Sequence, residues 1–132
     1  MDFTFLSRWS PQLLSVLRII TALLFFAHGS AKLFGFPFVE ALQGVPIGSI
    51  YGIGGIIEII AGILLVIGLF SRLVAFIVSG EMAIAYFHTH APQGFHPILN
   101  GGESAILFCF IFLYIAAAGP GPWSVDATRG KA

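Results

Sequence analysis

Charge is scarce in this chain. Only 9% of its 132 residues are Asp, Glu, Lys or Arg, six acids against six bases, where an ordinary soluble domain carries about a quarter. Twelve charges cannot clothe a water-soluble fold of this size, so the apolar surface is expected to face a lipid bilayer. There is no basic run and the formal net charge is zero, which argues against a nucleic-acid partner. Cysteine is scarcer still. Cys109 is alone, which excludes an internal disulfide and a CxxC dithiol pair. It sits mid-run among apolar residues and reads as a small buried apolar side chain. No flavin, haem or dinucleotide signature is present.

Long hydrophobic runs fill the space that charge vacates. Hydrophobic residues make up 58% of the chain, in four segments at about 12–34, 47–70, 73–90 and 98–118. Each is close to the roughly 20 residues that cross a bilayer, the third being short. Backbone groups in lipid must bond internally, so the segments should be helices. The expected fold class is all-α: an integral membrane four-helix bundle, one transmembrane domain over residues 1–132. A rival reading takes Arg8, Arg18 and Ile19–Ala31 as a secretory signal cleaved after Ala31. Asp2, the long lead-in, His28 and Lys32 count against it.

Basic residues set the orientation. Four spans put both termini on one side, together with Arg8, Arg72, Arg129 and Lys131. That side should be the cytoplasm, making the chain a multi-pass protein of the cell (inner) membrane. Trp9 and Trp123 suit interfacial anchors there. The connectors at 34–45 and 88–102 then face outward.

Few polar residues interrupt the spans. Each charge near the bilayer centre costs about 2.5–3.5 kcal/mol, so such residues turn inward and find partners. At about 1.5 Å per residue, Arg18 and Glu81 lie roughly 12–13 Å from the inner end. Their matched depth predicts an Arg18–Glu81 ion pair. Glu58, His88 and His28 come out roughly 21–27 Å deep, in the outer half. His28 and Lys32 share a helix face at i, i+4. Gly48, Gly52, Gly55 and Gly62 lie on or near the face of Glu58, where small residues let helices approach. Glu58 should therefore point at a neighbouring helix.

These positions converge on an outer polar pocket lined by His28, Lys32, Glu58, His88, Asn100 and Glu103. The histidine-rich stretch Phe87–Ser104 would be its lid. An imidazole beside a carboxylate in a low-dielectric site can pass protons near neutral pH, and it can donate to a quinone carbonyl. The same residues also make sense as a purely structural network. His88, His90 and His96 offer a nitrogen donor set for a metal, without matching any specific metal spacing. "NGGE", Asn100–Glu103, reads as a capping box, with Asn100 as N-cap and Glu103 in the first turn. The phenylalanines at 25, 26, 34, 36 and 38 suit membrane anchoring or a lining for a flat lipid-soluble ring.

The stretches "RIITALLFFAHGSAKLFG", "GGIIEIIAGILLVIGLFSRLVA", "EMAIAYF", "NGGESAILF" and "GPGPWSVD" occur in an order that resembles the DoxX family, from about Arg18 to Asp126. The resemblance implies a small four-helix inner-membrane protein whose relatives are often described as oxidoreductase or redox-complex subunits. It assigns no catalytic residue, and no catalytic motif is identified here. Two functional readings follow. In one, the chain is a membrane subunit supporting quinone-linked redox chemistry, with a quinone as the compatible cofactor and a soluble or membrane redox partner supplying electrons. In the other, it is a small-solute, proton or metal carrier, or a non-catalytic scaffold. A homo-oligomer could build a path between protomers.

Overall fold

The structure, a computed structural model, describes residues 2–132. It is all-helical, with no strand among the described residues. A 3-10 turn, Thr4–Trp9, leads into α1, Ser10–Phe34. Next come α2, Ile50–Ile67, and α3, Ser71–Ala85, the latter prolonged by a π-helical turn, Tyr86–His90. A short α4, Pro97–Asn100, precedes α5, Glu103–Ala118, and α6, Val125–Thr128, lies near the C-terminus.

Local chemistry sets these limits. Pro11 sits in the first turn of α1, where its missing N–H costs nothing. Gly35 ends that helix in the left-handed conformation. Ser49 caps α2 by accepting from the Gly52 N–H. Gly68 closes α2, also left-handed. The start of α3 is capped from a distance: the Asp126 carboxylate accepts from the Phe70 and Ser71 N–H groups at 2.9 and 2.8 Å.

α1, α2, α3 and α5 pack as an antiparallel bundle. Arg18 meets Leu65, and Lys32 meets Glu58, so α1 and α2 run in opposite senses. Ser79 donates to the Cys109 carbonyl and Arg72 to that of Ala116, which pairs α3 with α5 in the same manner. Phe25, Leu65, Val78, Phe112 and Ile115 fill the centre. Phe25 meets the rings of Phe108 and Phe112 edge-on at 5.5 and 5.0 Å. Gly29 lets α1 and α2 touch, since a Cβ there would stand 2.7 Å from the Gly55 carbonyl oxygen.

The outer faces are apolar. Ile20, Leu24, Ile60, Phe76 and Phe110 are each more than half exposed. Exposed apolar area on this scale marks a surface that meets lipid rather than water. Two helical stretches, Thr4–Phe34 and Ile50–Ile67, are long and apolar enough to cross a membrane, and Glu103–Ala118 is a shorter apolar helix.

The expected Arg18–Glu81 ion pair does not form. Arg18 is fully buried, and its guanidinium donates to the carbonyls of Leu65 (2.8 Å), Val66 (3.4 Å), Trp123 (2.7 Å) and Pro120. The physical reason is that the last carbonyls of α2 have no intrahelical partner. Those of the Gly119–Trp123 loop are likewise free, and Arg supplies five donors in a fixed fork. The long side chain reaches toward this end of the bundle, while Glu81 lies toward the other. The NGGE capping box does not form either. Asn100 ends α4, Gly101 turns left-handed, and Gly102 precedes α5 without a side-chain cap. Asn100 Oδ1 instead accepts from the Gly102 N–H at 2.8 Å.

Two predictions follow from this end of the bundle. Arg18→Met strands several buried carbonyls and should destabilise the detergent-solubilised protein by at least about 3 kcal/mol, with no recovery on adding Glu81→Leu. Thermal unfolding by circular dichroism reads both. The second concerns acid. Burial pushes the Asp126 carboxyl up, but the Ser71 and Phe70 N–H groups and the charge of Arg129 outweigh it, so its pKa lies below the ordinary value. A depressed folded-state pKa contributes stability above the unfolded pKa of about 3.9, and that contribution is lost as pH falls through the folded value. The wild-type melting temperature should therefore drop more steeply than that of Asp126→Asn as pH is lowered below about 4.

Candidate functional site

The other end of the bundle is hollow. Lys32 comes from the last turns of α1 and Glu58 from the middle of α2. The Lys32 ammonium donates to both Glu58 oxygens, at 3.0 and 2.9 Å. Glu58 is 1% exposed, and this is the salt bridge found among the described residues. A pair so far from water is stable only with both partners in place, because either alone would be an uncompensated buried charge.

The pair lies between two cavities. The first, about 310 Å³, is walled by Phe25, Met82, Ala105 and Phe108, with His28, Lys32, Glu58, Tyr51, Thr89, His90 and Ser104 among its polar groups. His28 stands at its side, where a groove between α1 and α5 continues past Leu24, Ala27 and Phe108. Its ring meets Phe108 edge-on at 5.6 Å. The second cavity, about 240 Å³, is a crevice between α2 and α3 lined by Lys32, Gly54, Glu58, Glu81, His88 and Thr89 among others. The Tyr51 hydroxyl and Thr89 Oγ1 lie 3.1 Å apart between α2 and the π-helical turn.

A latch built on Asn100 forms the roof. Its Nδ2 donates to the Tyr86 hydroxyl (3.2 Å) and the Gly94 carbonyl (3.0 Å). His90 Nδ1 is 3.0 Å from the Asn100 carbonyl. These bonds fold the 91–102 connector back over α3 and bring His90 and Gly101 to the first cavity.

The residues expected at the site are therefore divided. His28, Lys32 and Glu58 share the first cavity. His88 lines the second, facing Tyr51 at 6.0 Å between ring centres. Asn100 is buried in the roof and lines neither. Glu103 is exposed and lines neither, because the first turn of α5 brings Ser104 and Ala105, not Glu103, to the first cavity. The His88, His90 and His96 metal set is not assembled. His90 is held by Asn100, His96 packs against Phe95 on the exposed connector, and among the described residues no three His, Cys, Asp or Glu side chains form a group that could hold a metal ion.

Tyr51, Thr89, Met82 and Phe108 were not anticipated, and neither was Glu81 as a neighbour of the pair. Tyr51 had a signal: it precedes Glu58 by seven residues and so shares its helical face.

The DoxX family model matches residues 13–91, which carry most of α1, all of α2 and α3, and both halves of the ion pair. The chain belongs to the DoxX family. Family membership and the two apolar helices make it a membrane protein. The "NGGE" and "GPGPW" stretches fall outside the matched range. A protein of Haemophilus influenzae, described as an uncharacterized protein, is 43% identical over 125 residues, covering 92% of this chain and 93% of its own length. No solved structure matches.

The ion pair gives this DoxX protein a direct test. Lys32→Met should destabilise it by roughly 3–5 kcal/mol by leaving Glu58 unpaired, and the double change Lys32→Met, Glu58→Met should recover most of that loss. Melting temperatures of the four proteins complete the cycle.

Proposed function

We propose that this DoxX protein is a membrane subunit that binds the ring of a quinone in its first cavity and so supports quinone-linked redox chemistry. The observation that carries the reading is the cavity's composition: apolar and aromatic walls, with polar groups gathered on His28 and the Lys32–Glu58 pair. Ligand pockets are commonly built this way, the apolar lining supplying affinity and a few polar groups fixing orientation. A quinone presents two carbonyl oxygens on a flat apolar ring. His28 can donate to one carbonyl, with Lys32, Tyr51 or Thr89 at the other. The groove between α1 and α5 gives a lipid-soluble molecule a sideways route from the bilayer. Electrons would reach the ring from a soluble or membrane partner protein.

The orientation belongs to the same proposal. Arg8, Arg72, Arg129 and Lys131 gather at the end that carries both termini, and basic residues favour the cytoplasm. The hollow end then faces outward across the cell membrane as a multi-pass bundle.

Protein released in mild detergent should retain quinone in its extracted lipid. His28→Ala should weaken binding of an added short-tailed quinone about tenfold, the scale of one lost hydrogen bond. A folded wild-type protein that retains none and binds none would overturn the reading. Saturable solute flux through such an empty protein in liposomes would favour a carrier instead.

A further inference from the structure

Behind the Lys32–Glu58 pair stands a second carboxyl. Glu81 of α3 lines the α2–α3 crevice together with Glu58, and its Oε2 is buried without a partner among the described residues. Gly54 makes the junction. A Cβ on Gly54 would stand 3.3 Å from Glu81 Oε1, 3.8 Å from Glu58 Oε2 and 4.0 Å from Lys32 Nζ. One ammonium and two carboxyls thus converge where α2 carries no side chain, and the gap faces the α2–α3 crevice.

Lys32 binds both oxygens of Glu58 and leaves Glu81 without a cation. With both acids ionised, the cluster would be one positive charge short of neutral in an apolar surround. Two carboxyls in contact resolve this by keeping one proton between them. The titratable groups that line the crevice with Glu81 are Lys32 from α1, Glu58 and Tyr51 from α2, and His88 from the π-helical turn that prolongs α3. α5 carries no charged residue after Glu103.

We propose that Glu81 is a proton-binding site, exchanging its proton with Glu58 and loading and unloading through the α2–α3 crevice past His88. The transfer is a proton moving from one carboxyl oxygen to the other, with no change in oxidation state. Glu58 lines both cavities, so the exchange links the space under the histidine roof to the crevice. The site stands on its own geometry and does not require a quinone in the first cavity.

Dicyclohexylcarbodiimide tests this, being lipid-soluble and reactive toward protonated carboxyls. The full chain in detergent micelles is treated across a pH series without added quinone, and adducts are mapped by mass spectrometry. The expected adduct is on Glu81, its yield falling about tenfold per pH unit once the group titrates. In Glu58→Gln, checked for folding by size exclusion, the profile should move to lower pH, since the neighbouring carboxyl that shares the proton is gone. The inference is overturned by a folded wild type with no adduct at Glu81, by pH-independent labelling, or by protection with sodium ions in place of a pH dependence. An unmoved profile in folded Glu58→Gln would also overturn it. Labelling of a chain that retains no quinone would uphold this inference while the proposed function fails.

Discussion

The bond between Lys32 and Glu58 is the constraint on which the rest of this molecule hangs. A carboxylate and an ammonium have been moved away from water into a bundle whose outside is apolar. Both Glu58 oxygens are engaged by one ammonium, which is what such a burial requires to be tolerated. The pair fixes α1 against α2, and Gly29 lets the two backbones come close enough for it to form. It also props the bundle open. Long polar side chains at this level prevent the aromatic packing around Phe25 and Phe112 from continuing outward, and the cavities begin where that packing stops.

The opposite end shows the contrasting solution. Arg18 spends its donors on carbonyls of α2 and the Gly119–Trp123 loop, and Asp126 caps α3. Arg18, Arg72 and Asp126 are turned onto backbone groups that would otherwise be unsatisfied, which suits a lipid environment. One end therefore spends its buried charges on backbone, and the other presents them to a cavity. That asymmetry, more than any single residue, singles out the candidate site.

Much of this was legible in the sequence. The apolar runs located the four long helices, and the glycines around Glu58 indicated that it faces a neighbour. The i, i+4 spacing joined Lys32 to His28. The rest was hidden for identifiable reasons. Depth counting assumes that charges seek charges, whereas Arg18 found carbonyls, which are present at every residue and leave no mark in the sequence. Counting also assumes one unbroken helix per span. The π-helical turn after Ala85 and the break at Gly101–Gly102 violate that, and the break turns Asn100 into a latch. Glu81 was assigned to the wrong partner by the same arithmetic, although its inward orientation was apparent.

What results is a small bundle with one end tied to backbone by its charges and one receptive end, the latter combining an aromatic-walled cavity with a charge cluster. A photoreactive azidoquinone, illuminated with the purified protein and mapped by peptide mass spectrometry, tests this most directly. The account predicts adducts on first-cavity residues such as Phe25, Met82 or Phe108, competed away by unmodified quinone. Adducts spread over the lipid-facing residues of α1 and α2 and insensitive to competition would contradict it.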